Sequence, residues 1–269
     1  MEVFHALGAL ALLIFVAGVV GRVRFWLDGS VSGAHDVGRW GKAAALARRG
    51  FGTLFRRQTL RALFWDGLIL RRVWRENRLR WLIHLTISWS FVGLFTIGSL
   101  GDMASDLGAP LEKDDAWFAA LNESLGLALL TGVVLAAGRR YLSPKPHTKT
   151  VFEDAAVLAV MGLLAAGGFL VEAGRYLKEG TPASAAGYAF LGYPLSQVVE
   201  PFGWDWALVH SWLWWTHGLL ALGLVAYLPY SKLFHMFASP LTVALDSRPV
   251  DSTGRAAGRT VGEARAWPA

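Results

Sequence analysis

Seven histidines and no cysteine stand in a chain of 269 residues. Two of the histidines bracket the run "HGLLALGLVAYLPYSKLFHMFASP", from His217 to Pro240. On an unbroken helix the 18 steps between His217 and His235 make five whole turns, so both rings leave one face, roughly 27 Å apart along the axis. Imidazoles projecting from an apolar helix are standard axial ligands for haem iron, and that separation suits two stacked cofactors better than one. A b-type haem needs no cysteine for attachment, which fits this composition. The same absence excludes an iron–sulfur cluster, a disulfide or a cysteine-based zinc site held by this chain alone.

Ligation from both sides of a porphyrin requires imidazoles at one depth on different helices. His84 follows "RENRLRW" and His235 follows "PYSKL". Both fall at the basic end of an apolar span, on spans expected to run in opposite directions. They form the best-matched pair, against the alternative that each only caps or hydrogen-bonds a neighbour. His217 lies near mid-span. Ten residues on from His84, close to the same face, stands Leu94, which supplies no ligand. His5 could reach His217 from the first span. His210 lies one heptad from His217 on nearly the same face, so those two cannot clamp one iron. A second haem therefore rests on His217 or His210 with His5, or is absent. His35 and His147 sit in polar loops and are assigned no role.

These rings must be carried by elements that cross a bilayer. Hydrophobic residues make up 54% of the chain and charged residues 17%, against roughly 25% in an average soluble domain. Five stretches approach the ~20 apolar residues that a crossing needs: Val3–Val20, Trp81–Ser99, Ala116–Ala137, Ala155–Val171 and Ala207–Leu228. The first lacks a basic leader, since Glu2 and His5 precede it and Arg22 and Arg24 follow, so it reads as a retained anchor rather than a signal peptide. Between Arg22 and Arg80 there are 14 Lys/Arg against 4 Asp/Glu, while Asp102–Asp115 carries five acids and one lysine. The turn Arg139–Lys149 and the tail after Arg248 are basic as well. By the positive-inside rule the long loop, the third connection and the C-terminus are cytoplasmic and the N-terminus is outside. The net charge of +6 is then a topology signal, not a nucleic-acid one.

The expected fold is all-α: a five-span integral membrane bundle over residues 1–245, with a basic cytoplasmic loop at 28–80 and a flexible tail at 246–269. Leu, Phe and Trp recur among the arginines of that loop at helical intervals, which reads as amphipathic helices at the inner surface. Lipid headgroups and a cytoplasmic subunit both suit such a surface. No internal repeat is found.

A lipid-soluble electron carrier needs an apolar cleft with a few polar groups. Glu172 and Arg175, at the outer end of the fourth span, and Glu123 in the third are candidates for a quinone site. The first two, three residues apart, could equally pair with one another. In "WALVHSWLWWTH" the tryptophans suit an interfacial belt, with one or two available to wall a cofactor, and His210 could accept a proton there. Arg78, Arg80 and Lys232 stand where haem propionates would emerge at the inner face, or where lysine and arginine snorkel to lipid phosphate. No HExxH, Walker, GxSxG or usable GxGxxG motif is present, so nothing points to a hydrolase or nucleotide enzyme.

The run from His217 to Pro240 resembles the last span of the nitrate reductase gamma-subunit family of cytochromes b. "FWDGLILRRVWRENRLRWLIHLTISWSFVGLF" (Phe64–Phe95) is more similar to the related membrane cytochromes that accompany heterodisulfide-reductase-like iron–sulfur proteins. The resemblance covers all five spans, with strong motifs in the second and fifth. It implies that His84 and His235 ligate the inner haem and His217 the outer one, Leu94 replacing the second outer ligand. It further implies a multi-pass subunit of the cytoplasmic (inner) membrane. Electrons would pass between menaquinone or ubiquinone and a cytoplasmic iron–sulfur partner docked on the loop 28–80. A haem-free anchor for a cytoplasmic redox enzyme is the alternative; a transporter fits less well, lacking repeated halves with broken helices.

Overall fold

The computed structural model describes residues 2–28, 37–106, 116–142, 152–182 and 188–246. Described residues in regular structure are helical, with no strand among them. The order is α1 Glu2–Asp28, α2 Arg39–Leu54, α3 Arg57–Ala62, a π-turn at Leu63–Leu68, α4 Arg71–Glu76, α5 Arg78–Asp106, α6 Ala116–Tyr141, α7 Phe152–Glu179, α8 Gly192–Val199, α9 Trp206–Tyr227 and α10 His235–Asp246. Five of these, α1, α5, α6, α7 and α9, are long and apolar enough to cross a membrane, in agreement with the expected spans. The chain is an all-α, multi-pass membrane protein. His35, His147 and the tail beyond Asp246 lie outside the described residues.

Two compact units divide the chain, one comprising 1–16 and 76–231, the other 17–75 and 232–269. In the first, α5, α6, α7 and α9 pack in succession. Gly93 meets Leu125 while Gly132 meets Ile87, so α5 and α6 are antiparallel; Gly126 meets Phe169 while Gly162 meets Val133, so α6 and α7 are too. Hydrocarbon chains provide no hydrophobic drive between helices, and small residues that admit a neighbouring side chain supply the close packing instead. A Cβ on Gly126 would stand 3.0 Å from Phe169 Cζ, which leaves no room for any other residue without a shift. Arg140 and Asp154 close the α6–α7 turn with a 2.7 Å ion pair.

The first half of α1 runs parallel to α9. Phe4 packs on Gly218 and on Trp214, with ring centroids 4.6 Å apart, and the Tyr230 hydroxyl donates to the Ile14 carbonyl at 3.3 Å. Side-chain caps set where the key helices begin. Asp205 accepts the N–H groups of Ala207 and Leu208 at the start of α9, and Asn77 accepts that of Arg80 at the start of α5.

One expectation fails. The helix that carries His217 does not continue to His235. It stops at Tyr227, because Pro229 lacks the N–H that the next turn would need and its ring crowds the preceding carbonyls. A short 3₁₀ turn, Leu228–Tyr230, follows, and Ser231 is extended at φ −99°, ψ 172°. The five-turn phase relation between the two histidines does not hold.

The second unit contains the short helices of the basic loop and α10. Lys42 donates to the Leu27 carbonyl at 3.2 Å, and Trp26 lies 5.7 Å from Phe234, centroid to centroid. Leu70, at φ 55°, is a non-glycine residue in left-handed backbone and turns the chain into α4. Trp40, Phe51 and Phe55 are exposed beside arginines, the amphipathic pattern expected of this loop.

Candidate functional site

Within the first unit a cavity of about 480 Å³ opens among α5, α6, α7 and α9. Its walls are mostly apolar, with Phe91, Leu94, Phe118, Met161 and Leu224 among them. The polar side chains in the lining are Asn122, Glu172, Arg175 and His217. A largely apolar pocket with few converging polar groups is the usual form of a cofactor or small-molecule site.

His217 owes its position to glycine. A Cβ on Gly167 would stand 3.2 Å from its Nδ1, and one on Gly168 would stand 3.7 Å from its Cε1. The ring thus lies in a notch on α7 that a larger residue would fill. Its Nδ1 is buried without a hydrogen-bond partner. Burying an imidazole nitrogen unpaired costs free energy, so such an atom signals a missing ligand or a strained site. Leu94 lines the same cavity and brings no donor atom.

At the polar end, Gly168, Glu172 and Arg175 follow one another on one face of α7. The Tyr176 hydroxyl donates to Glu172 Oε1 at 3.1 Å. Arg175 reaches Glu179 at 3.4 Å, and its guanidinium lies 4.8 Å from the centre of the Tyr176 ring. Glu123 is fully buried, and its two carboxylate oxygens accept the N–H groups of Leu191 and Gly192, both at 2.6 Å. It thereby anchors the start of α8 to α6. A Cβ on Gly192 would lie 2.9 Å from Glu123 Oε1 and equally from Glu172 Cγ and Cδ, so the two carboxyl groups meet beneath that glycine.

The other expected site residues are dispersed. His5 is exposed and does not line the cavity, because α1 presents Phe4 to α9 and packs on the Trp214–Gly218 face, while His217 points to α7. The structure therefore does not bring His5 to His217. His210 is half-buried against Gly174, outside the cavity wall. Glu123 is also absent from the wall, its oxygens turned to backbone donors. His84 is half-buried on α5 beyond the cavity lining. In the second unit, His235 is exposed, and its Nδ1 lies 2.6 Å from the Lys232 carbonyl. With a carbonyl as its partner, Nδ1 is the donor in that bond. Arg78, Arg80 and Lys232 are exposed, with Arg80 3.5 Å from Glu76. Among the described residues no group of three or more His, Asp or Glu side chains could hold a bare metal ion.

Sequence reading missed Asn122, the Gly167–Gly168 notch and Tyr176. The two adjacent glycines inside an apolar span and the four-residue step from Glu172 to Tyr176 were the available signals.

The chain is similar to the E subunits of dihydromethanophenazine:CoB–CoM heterodisulfide reductases. It is 26% identical over 252 residues to that of Methanosarcina mazei, covering 88% of this chain and 90% of the relative. It is 27% identical over 212 residues to that of Methanosarcina acetivorans, covering 76% and 71%. An EtfAB:quinone oxidoreductase of Syntrophomonas wolfei is 24% identical over 212 residues, which are 71% of this chain and 29% of that longer protein. These relatives fall on the heterodisulfide-reductase side of the resemblance drawn from the sequence; nitrate reductase gamma subunits do not figure among them. No family model and no solved structure matches the chain.

Proposed function

We propose that this chain is the membrane electron-transfer subunit of a redox complex. It passes electrons between a lipid-soluble quinone-type carrier and a cytoplasmic iron–sulfur partner by way of b haem. The observation that carries the reading is His217, an imidazole in the apolar wall of a membrane-embedded cavity with a buried, unpartnered Nδ1. A haem would take the imidazole of His217 against apolar walls, a ring whose Nδ1 has no protein partner, while Leu94 provides no second ligand. Once bound, haem supplies reversible one-electron storage. The chain's own residues bind it, seat the imidazole on glycine and keep water out.

The inner haem is assigned to His84 and His235 on the sequence alone, from their common depth at the basic ends of two spans. Arg78, Arg80 and Lys232 are its propionate partners. His5 and His210 are not retained as ligands. The polar end of the cavity, with Glu172, Arg175 and Asn122, suits the headgroup of menaquinone, ubiquinone or another two-electron carrier. The relatives' names, which pair heterodisulfide reductase with dihydromethanophenazine and EtfAB with quinone, support a link to such a carrier. The N-terminus is outside and the basic loop 28–80 is the docking face for the partner, on the charge pattern of the connections.

A pyridine-haemochrome measurement on purified protein tests the reading. One or two b haems per chain are expected, with an α-band on reduction. A preparation with native helix content and no haem would leave the haem-free anchor as the correct account.

A further inference from the structure

We infer that Glu172 is the group that takes and returns the proton of the carrier bound in the cavity, and that Glu123 positions it. The inference rests on the quinone-type reading above and adds the division of labour between the two carboxyls. Glu172 lines the cavity, whereas Glu123 does not. Both oxygens of Glu123 accept backbone N–H groups at 2.6 Å, which commits them to the start of α8. Beneath Gly192 the Glu172 carboxyl lies against it. Two carboxyl groups in such contact hold protons as a pair, and only the member facing the cavity can exchange one with a bound molecule.

The groups facing Glu172 are Glu123 from α6, Tyr176 and Arg175 from its own helix, and Asn122 across the cavity end. Tyr176 holds Oε1, fixing the carboxyl plane. Arg175 and Asn122 supply donors for a ring oxygen of the carrier. This set recognises a para-dihydroxy aromatic ring, a quinol, with its apolar body against Phe95 and Phe118.

Each one-electron oxidation of the quinol breaks one O–H bond. The electron would leave to a one-electron acceptor of the haem class, and the proton forms an O–H bond on Glu172. Glu172, which is only half-buried, releases that proton to solvent water before the second step; two steps convert quinol to quinone with two electrons passed to the acceptor and two protons to water. In the opposite direction Glu172 supplies both protons.

The test uses the full-length chain, purified in detergent with its haem, and reduced 2,3-dimethyl-1,4-naphthoquinone as the probe. Three measurements are made on wild type, E172Q, E172D and E123Q: equilibrium binding of the oxidised naphthoquinone, the rate of haem reduction by the quinol, and the carboxyl C=O region of the redox-induced infrared difference spectrum. E172Q is expected to accept electrons from dithionite and to lose about a hundredfold or more in quinol-driven rate at saturating naphthoquinol, the usual contribution of a positioned proton acceptor. E172D is expected to recover part of that rate. The infrared carboxyl band should be present in wild type, absent in E172Q and shifted in E123Q. A wild-type quinol rate in E172Q, or an infrared band that survives its substitution, would overturn the inference while leaving the haem reading intact. A wild type that contains haem but neither binds nor is reduced by the naphthoquinol would overturn the quinone-type reading itself.

Discussion

His217 and His235 border one apolar stretch of sequence, yet their rings meet opposite conditions. His217 lies within α9, half-buried, its Nδ1 without a partner. His235 opens α10, exposed, its Nδ1 against the carbonyl of Lys232 at 2.6 Å. The difference is one of backbone supply. Inside a helix the neighbouring carbonyls are committed to the i→i−4 ladder, so a ring there must find its partner on another helix or on a ligand. Lys232 belongs to a separate short turn, Lys232–Phe234, and the carbonyls at the end of such a turn lack a ladder partner. Pro229 makes way for it by ending α9. A histidine pair that looks equivalent by spacing is thus a buried ring awaiting a partner and an exposed ring already oriented.

The contrast is tested most severely at the buried ring. Replacing Gly167 by Leu directs a side chain at His217, whose Nδ1 would stand only 3.2 Å from the new Cβ, so His217 must leave its notch. The expected outcome is loss of the haem held there, read as lower haem per chain, together with loss of naphthoquinone binding. His217→Ala should remove the same haem and leave the inner one, whereas His84→Ala should remove the inner one alone; redox titration of the α-band separates the two.

Next in size is Glu123→Ala. It strands one buried and one part-buried N–H group, at a cost of about 2–4 kcal/mol. A lower thermal midpoint, measured by circular dichroism, checks it. Pro229→Ala sharpens the contrast from the other side: α9 can extend, the Lys232 carbonyl is drawn toward helical bonding, and the inner-haem spectrum should shift while the His217 site is unchanged. The smallest effect is expected from Arg80→Ala. Its ion pair with Glu76, at 3.5 Å, is exposed on both sides and exposed pairs contribute little. The thermal midpoint should not move measurably, and any change should appear in the inner-haem potential.

Much of the fold was legible. Hydropathy over about 20 residues located all five spans, and arginines interleaved with aromatics marked the short helices before α5. The site was legible only where one residue carried the signal. His217, Glu172 and Arg175 line the cavity as ionisable groups in spans often do. Glu123 was read as a cavity group because its partners, Leu191 and Gly192, are 68 and 69 residues away and bond through backbone atoms that side-chain pattern cannot reveal. His5 was offered as a ligand because sequence gives depth but not rotation about the helix axis; Phe4, one residue earlier, takes the face toward α9. The unbroken helix from His217 to His235 failed on a single proline, whose effect on the backbone outweighed the apolar run around it.

The most direct measurement is stopped-flow mixing of the purified chain with naphthoquinol while the b-type α-band is recorded. The band should rise in wild type and fail to rise at that rate in His217→Ala. A band that dithionite raises but naphthoquinol does not, or one indifferent to residue 217, would contradict the claim that electrons enter through this cavity.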